Sequence, residues 1–175
     1  QRPPDMTGPR LRLRPVTPED AAFIHGLRTD PAYNAHLSPV TGTVADQRDW
    51  ITRYMAREAA GEEMYYIIER RDGTPCGTVR LYDIAADSFT WGSWILNEDK
   101  PPKAALESAL LSFAAGFESL GLARADIDVR RDNERAINFY RRFGMTETGS
   151  DAENLYFEIT RARFTALRAA HGAEA

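Results

Sequence analysis

Apolar residues recur along the chain with two periods, and the switches between them mark its elements. Leu11, Leu13 and Val16 alternate with Arg12 and Arg14, a period of two that predicts a first strand. Thr17-Pro18-Glu19-Asp20 then reads as a helix start. Thr17 can cap, Pro18 suits the first turn, and the two acids suit the positive end of the helix dipole. This helix buries Ile24 and Leu27 and stops near Asp30-Pro31; a loop rich in Pro, Asn, Ser and Gly runs on to Gly42. Thr43 with Asp46 repeats the capping pattern, and Trp50, Ile51, Tyr54 and Met55 mark the inner face of a second helix ended by Gly61.

Residues 64–69 and 77–82 flank Asp72-Gly73, a hairpin signal, and 89–96 is a third run dense in aromatic and β-branched residues. After Lys100-Pro101-Pro102, the residues Leu106, Leu110, Phe113, Phe117 and Leu120 fall at three- and four-residue spacing on one long helix closed by Gly121. A strand at 125–129, a helix at 133–143 capped by Gly144, strands at 145–148 and 155–159, and a basic helix at 163–171 complete the order. This order predicts an α/β fold of the α+β type: one mixed, largely antiparallel sheet with helices on both faces. The Pro-rich residues 1–10 read as a flexible lead, and 11–175 as a single domain with a C-terminal helix.

Composition narrows the function classes. Of 175 residues, 43% are hydrophobic, enough for one full core, yet no apolar run approaches the ~20 residues that span a bilayer. The 22 basic and 26 acidic side chains leave a net charge of −4, which argues against a nucleic-acid partner. The lone Cys76 can form neither an intramolecular disulfide nor a zinc knuckle, and no metal site is expected. No apolar leader opens the sequence, which points to the cytoplasm.

The informative stretch runs from Asp128 to Met145. Within it Asn133, Ala136, Tyr140 and Gly144 stand on adjacent turns of one helix. This segment resembles the signature of the GNAT N-acetyltransferase superfamily, and the order of elements over 11–159 is similar to that fold. The resemblance implies acetyl-CoA as acetyl donor and a primary amine as acceptor. It implies Asn133 beside the pantetheine arm, Ala136 leaving room for that arm, and Tyr140 protonating the departing thiolate. A phenol suits that role because it holds its proton at neutral pH.

At the cofactor's diphosphate the chain departs from the family's glycine-rich run. Lys100, Pro101, Pro102, Lys103, Ala104 and Ala105 stand there; the prolines remove two donors, while the N–H groups of Lys103, Ala104 and Ala105 and the two lysines remain. The strand Phe89 to Leu96 corresponds to the one that splays to admit the thioester, with backbone N–H groups around Trp94, Ile95 and Leu96 facing the acetyl oxygen. Strict alternation puts Trp91 and Trp94 on opposite sides, one lining a cavity and the other in the core. Asp83 and His36 are the candidate bases, and Tyr82 and Trp91 the candidate substrate platforms. The Trp-Gly-Ser-Trp strand and the Pro-Pro helix start resemble a branch acting on amino-sugar nucleotides. A protein N-terminal (alanine-type) acetyltransferase and a non-catalytic acyl-CoA-binding module are the alternatives. Arg12, Arg14, Arg28 and Arg80 are the cations available to a nucleotide, and the exposed strand edges leave room for a homodimer.

Overall fold

Each alternating run becomes a strand of one sheet in the computed structural model, which describes residues 2–37 and 40–171. The strands are β1 (Met6–Thr7), β2 (Leu11–Pro15), β3 (Met64–Arg70), β4 (Pro75–Tyr82), β5 (Ser88–Leu96), β6 (Arg124–Arg130), β7 (Thr146–Ser150) and β8 (Asn154–Thr160). Their order across the sheet is β1-β2-β3-β4-β5-β6-β8-β7. Among the described residues only the β5–β6 pair is parallel; the other neighbours are antiparallel. The sheet is thus mixed and largely antiparallel, as the pattern predicts.

Helices cover both faces because alternate residues of the central strands are apolar on both. Helices α1 (Ala21–Thr29) and α2 (Val44–Ala59) bury Ile24, Ile51 and Tyr54 against Val16, Tyr65 and Ile67. On the other face α3 (Ala104–Ala114), α4 (Glu134–Phe143) and α5 (Arg161–His171) supply Phe113, Phe143 and Phe164 to a core with Tyr66, Ile68, Phe89 and Trp91. Among the described residues, no helix is long and apolar enough to cross a membrane.

Three features differ from the sequence pattern. Within the lead expected to be flexible, Met6 and Thr7 pair with Leu13 and Arg12, and the Arg2 guanidinium bonds Glu58 at 3.0 Å. Gln1 and residues 172–175 lie outside the described residues. The long helix changes after Ala114 into a π turn, Ala115–Ser119. That wider turn carries Leu120 off the buried face, leaving it 42% exposed.

The third difference shapes the site. Thr78 faces Ile95 and Arg80 faces Gly92, so two steps along β4 match three along β5. The extra residue is a bulge at Ser93, whose φ is 51°. It resets the alternation, so Trp94 returns to the face of Trp91, with ring centroids 5.1 Å apart. Both indole N–H groups donate to α3, Trp91 to Ser112 Oγ at 2.8 Å and Trp94 to Ser108 Oγ at 3.1 Å. The two tryptophans therefore share a face, contrary to strict alternation.

Candidate active site

Helix α4 begins where Asn133 Oδ1 accepts from Ala136 N–H at 3.2 Å and ends at Gly144, whose φ of 102° closes it. Beside it the sheet opens. Pairing of β5 with β6 runs only from Ser88–Arg124 to Thr90–Asp126, and beyond that the two strands part. A cavity of about 320 Å³ fills the gap, lined by Gly92, Ser93 and Trp94, by Asp128, Val129 and Arg130, and by Asn133, Ala136, Tyr140 and His36.

Two further cavities adjoin it. On the α3–α4 side, one of about 440 Å³ shares Trp94, Asn133 and Ala136 and adds Leu96, Lys100, Ala105, Arg135 and Arg142. On the α1–α2 side, one of about 170 Å³ shares His36, Gly92, Ser93 and Asp128 and adds Arg28, Tyr65, Tyr82 and Ile95. Two reactants entering from opposite faces would therefore meet in the gap, which gives such a site its proximity advantage.

Tyr140 stands at the meeting point. Its ring is set by Trp91, Trp94 and Phe157, at 6.0, 6.3 and 5.7 Å between centroids. Burial pushes its phenol well above the ordinary range, and the negative charge of Asp128 adds to that. Among the described residues its hydroxyl makes no hydrogen bond, so its proton is unspent. Burial, then Asp128, likewise raises Tyr82. His36 Nδ1 lies 3.0 Å from Asp132 Oδ1. A carboxylate only accepts, so Nδ1 carries the hydrogen and Nε2 is left as the acceptor of the neutral ring. The loop holding His36 also sends the Tyr33 hydroxyl to Glu98, just past β5, so it is tied to both banks of the gap.

The structure thus brings together Tyr140, Asn133, Ala136, Trp94, Ile95, Leu96, Lys100, Ala105, Tyr82 and His36. Four other candidates stand elsewhere. Trp91 has no exposed surface and stacks on Phe113 at 4.7 Å, so it is core and not a substrate platform. Asp83 is an exposed turn residue with a φ of 47°, beyond the end of β4, and lines none of these cavities. The β4 residues opposite the gap are Thr78 to Arg80, so a residue past Tyr82 falls short of it. Ala104 is buried, and Lys103, exposed at the start of α3, lines none of the three cavities.

Asp128 was missed as a site residue although it lines both the gap and the α1–α2 cavity. Its signal was the alternation on β6, with Ala125, Ile127 and Val129 buried and the aspartates Asp126 and Asp128 turned the other way. Arg135 and Arg142, also missed, add cations to the α3–α4 cavity.

The geometry has counterparts among known proteins. A family model described as an acetyltransferase (GNAT) domain matches residues 10–146. The chain is similar to apo FdhC, described as a nucleotide-linked sugar GNAT, at 38% identity over 96% of each chain and a TM-score of 0.89. It shares its fold with Mycobacterium smegmatis RimJ in complex with CoA-disulfide, at 21% identity over 97% of this chain and 95% of that one, with a TM-score of 0.80. A single-site mutant of the spermidine N-acetyltransferase SpeG from Vibrio cholerae has the same fold at 18% identity, over 90% and 98% of the two chains, with a TM-score of 0.76. No curated protein matches the sequence. The chain belongs to the GNAT family of acetyl-CoA-dependent N-acetyltransferases.

Proposed function

We propose that this enzyme moves an acetyl group from acetyl-CoA to the primary amine of a nucleotide-linked amino sugar. The observation that carries this reading is the likeness to FdhC, which extends over 96% of both chains. The α3–α4 cavity fits the donor: Lys100, Arg135 and Arg142 supply positive charge at its wall. Lys103 places no side-chain cap on α3, so the first N–H groups of that helix and its dipole add to the attraction for phosphate. When bound, acetyl-CoA supplies an activated acyl carbon and a thiolate leaving group.

The chain's own residues then divide the work. Tyr140, kept neutral by burial, donates its proton to the departing sulfur. The edge of β5 beyond Thr90 has no β6 partner, which leaves backbone N–H groups near Trp94 to Leu96 for the acyl oxygen. Asp128 draws the acceptor's ammonium into the gap, His36 Nε2, oriented by Asp132, takes the proton whose loss frees the nitrogen lone pair for attack, and the second proton, shed as the amide forms, restores the Tyr140 phenol. Tyr82 forms one wall of the acceptor side.

The test is competition measured as thiol release from acetyl-CoA. Amino-sugar nucleotides and short peptides with free N-termini are compared at equal concentration. Higher kcat/KM for the sugar nucleotides is expected. Faster turnover of peptides would reverse the assignment.

A further inference from the structure

We propose that a second opening, between α2 and β4, is the subsite that binds the acceptor's diphosphate; the proposal rests on the amino-sugar nucleotide reading above. The opening has a volume of about 390 Å³, and its walls include Arg28 from α1, Gln47, Trp50 and Arg53 from α2, and Arg80 from β4. It adjoins the acceptor side of the active site. Arg28 lines both openings. The Arg80 guanidinium lies 4.8 Å over the Tyr82 ring and 5.5 Å over that of Tyr65, and both rings line the acceptor cavity.

Three of the chain's 20 arginines line this one opening. Two carboxylates stand nearby, and both keep their charge. Asp46 lines the opening, but its Oδ2 accepts from the backbone N–H of Thr43 at 2.8 Å and from its hydroxyl at 3.2 Å. Glu63 is shared between Arg57, at 3.2 Å, and Arg80, at 2.7 Å. Arg80 Nε is buried with no hydrogen-bond partner. Arg53 is exposed and has neither an ion pair nor a hydrogen bond among the described residues. Arg28, Arg53, Arg80 and the Arg57 that shares Glu63 outnumber Asp46 and Glu63, so the local balance is cationic and presented as guanidinium forks, the donor geometry that matches phosphate oxygens.

The opening lies on the α1–α2 face, whereas Lys100, Arg135 and Arg142 lie on the α3–α4 face, so its charge serves the acceptor and not the acetyl donor. An amino sugar with its amine at Asp128 and its ring against Tyr82 would extend its phosphates past Arg80 towards Arg28 and Arg53. The same charge disfavours a polyamine acceptor, which like charges would repel.

Three measurements test the subsite. Thymidine diphosphate and uridine diphosphate are titrated into the protein, read by thermal shift and calorimetry at two salt concentrations. Arg53→Gln is compared with wild type, and Arg141→Gln, an exposed arginine paired with Glu147 at 3.0 Å, controls for net charge. Steady-state kinetics follow with an amino-sugar nucleotide and with the same amino sugar lacking the nucleotide. The diphosphates should stabilise wild type, less so at high salt. Arg53→Gln should weaken that binding and lower the preference for the nucleotide-linked over the free amino sugar roughly tenfold, an effect absent from Arg141→Gln.

Diphosphates that do not bind, or that bind Arg53→Gln as well as wild type, overturn the subsite. Turnover of sugar nucleotides with a KM indifferent to Arg53→Gln also overturns it while leaving the acceptor reading intact. Arg53-dependent diphosphate binding without turnover of any amino-sugar nucleotide upholds the subsite and removes the acceptor reading.

Discussion

Replacing Tyr140 by Phe removes one oxygen from the centre of the site and should separate catalysis from stability. The ring would keep its contacts with Trp91, Trp94 and Phe157, since no volume is lost on the apolar side. The hydroxyl makes no hydrogen bond among the described residues, so no partner is left unsatisfied. Unfolding free energy should therefore change by no more than about 1 kcal/mol, with either sign. For a chain of this size that is a melting shift of about 2–4 °C. The catalytic effect should be larger. If the phenol protonates the leaving sulfur, kcat should fall about 10²- to 10⁴-fold, equivalent to roughly 3–5 kcal/mol of barrier. Affinity for acetyl-CoA should hardly move, because the thiolate charge is absent from the ground state. The assay pairs thiol release at saturating substrates with acetyl-CoA titration by calorimetry and with thermal unfolding. Full kcat in a folded variant would refute the proton-donor role. A collapse in melting temperature would show that the oxygen is structural.

Four further outcomes follow from other positions. Asp128→Asn should lower kcat/KM for the amine acceptor tenfold or more, whereas Asp83→Asn should match wild type; equal effects in a thiol-release assay would refute the placement of the gap. At Gly116 an added Cβ would lie 2.3 Å from Phe89 Cζ, so Gly116→Ala should cost about 1–3 kcal/mol in urea unfolding, and an unchanged midpoint would contradict the packing of the π turn. Glu107 accepts from the backbone N–H groups of Arg10 and Leu11 at 2.9 and 2.7 Å, so Glu107→Ala should destabilise by about 2–5 kcal/mol, measured the same way. Burial raises Tyr54, Tyr65, Tyr66, Tyr82 and Tyr140 and pushes Cys76 up to about 11. The unfolded chain loses these protons first, so stability should hold below about pH 8.5 and fall steeply above about pH 10. A flat profile to pH 11 would contradict the burial.

Helix α4 could be read from the chain because its signals are local: Asn133 bonds three residues on, and Gly144 supplies the positive φ that ends it. The β3–β4 hairpin follows from an equally local signal, Asp72-Gly73 between two apolar runs, and the unbroken run Met64 to Ile68 matches the burial of β3 on both faces. Other features depend on pairing between distant segments. The Ser93 bulge is visible only against β4, and a serine carries no glycine-like mark for a positive φ. Without it, period two separates Trp91 from Trp94. Asp128 became a site residue only because β5 leaves β6 after Thr90. The prolines of the lead suggest looseness, but its partners Glu58 and Tyr66 are remote in sequence. The π turn left one trace, a glycine at 116 among larger neighbours, too weak to outweigh an uninterrupted helical period.

The loop tied to Glu98 and Asp132 works as a strap across the parted strands, and its fastenings are weak by design of place. Tyr33–Glu98 and His36–Asp132 are both exposed to water, where such contacts hold by only about 0–1 kcal/mol. Each contact therefore costs little to break, and breaking either leaves the buried sheet beneath untouched. Entry of a bulky acceptor then costs little more than loosening one clasp. When both ends are fastened, the strap bounds the two strand edges that face each other inside the sheet, so the opening takes up a narrow guest and turns away a stray strand from another chain.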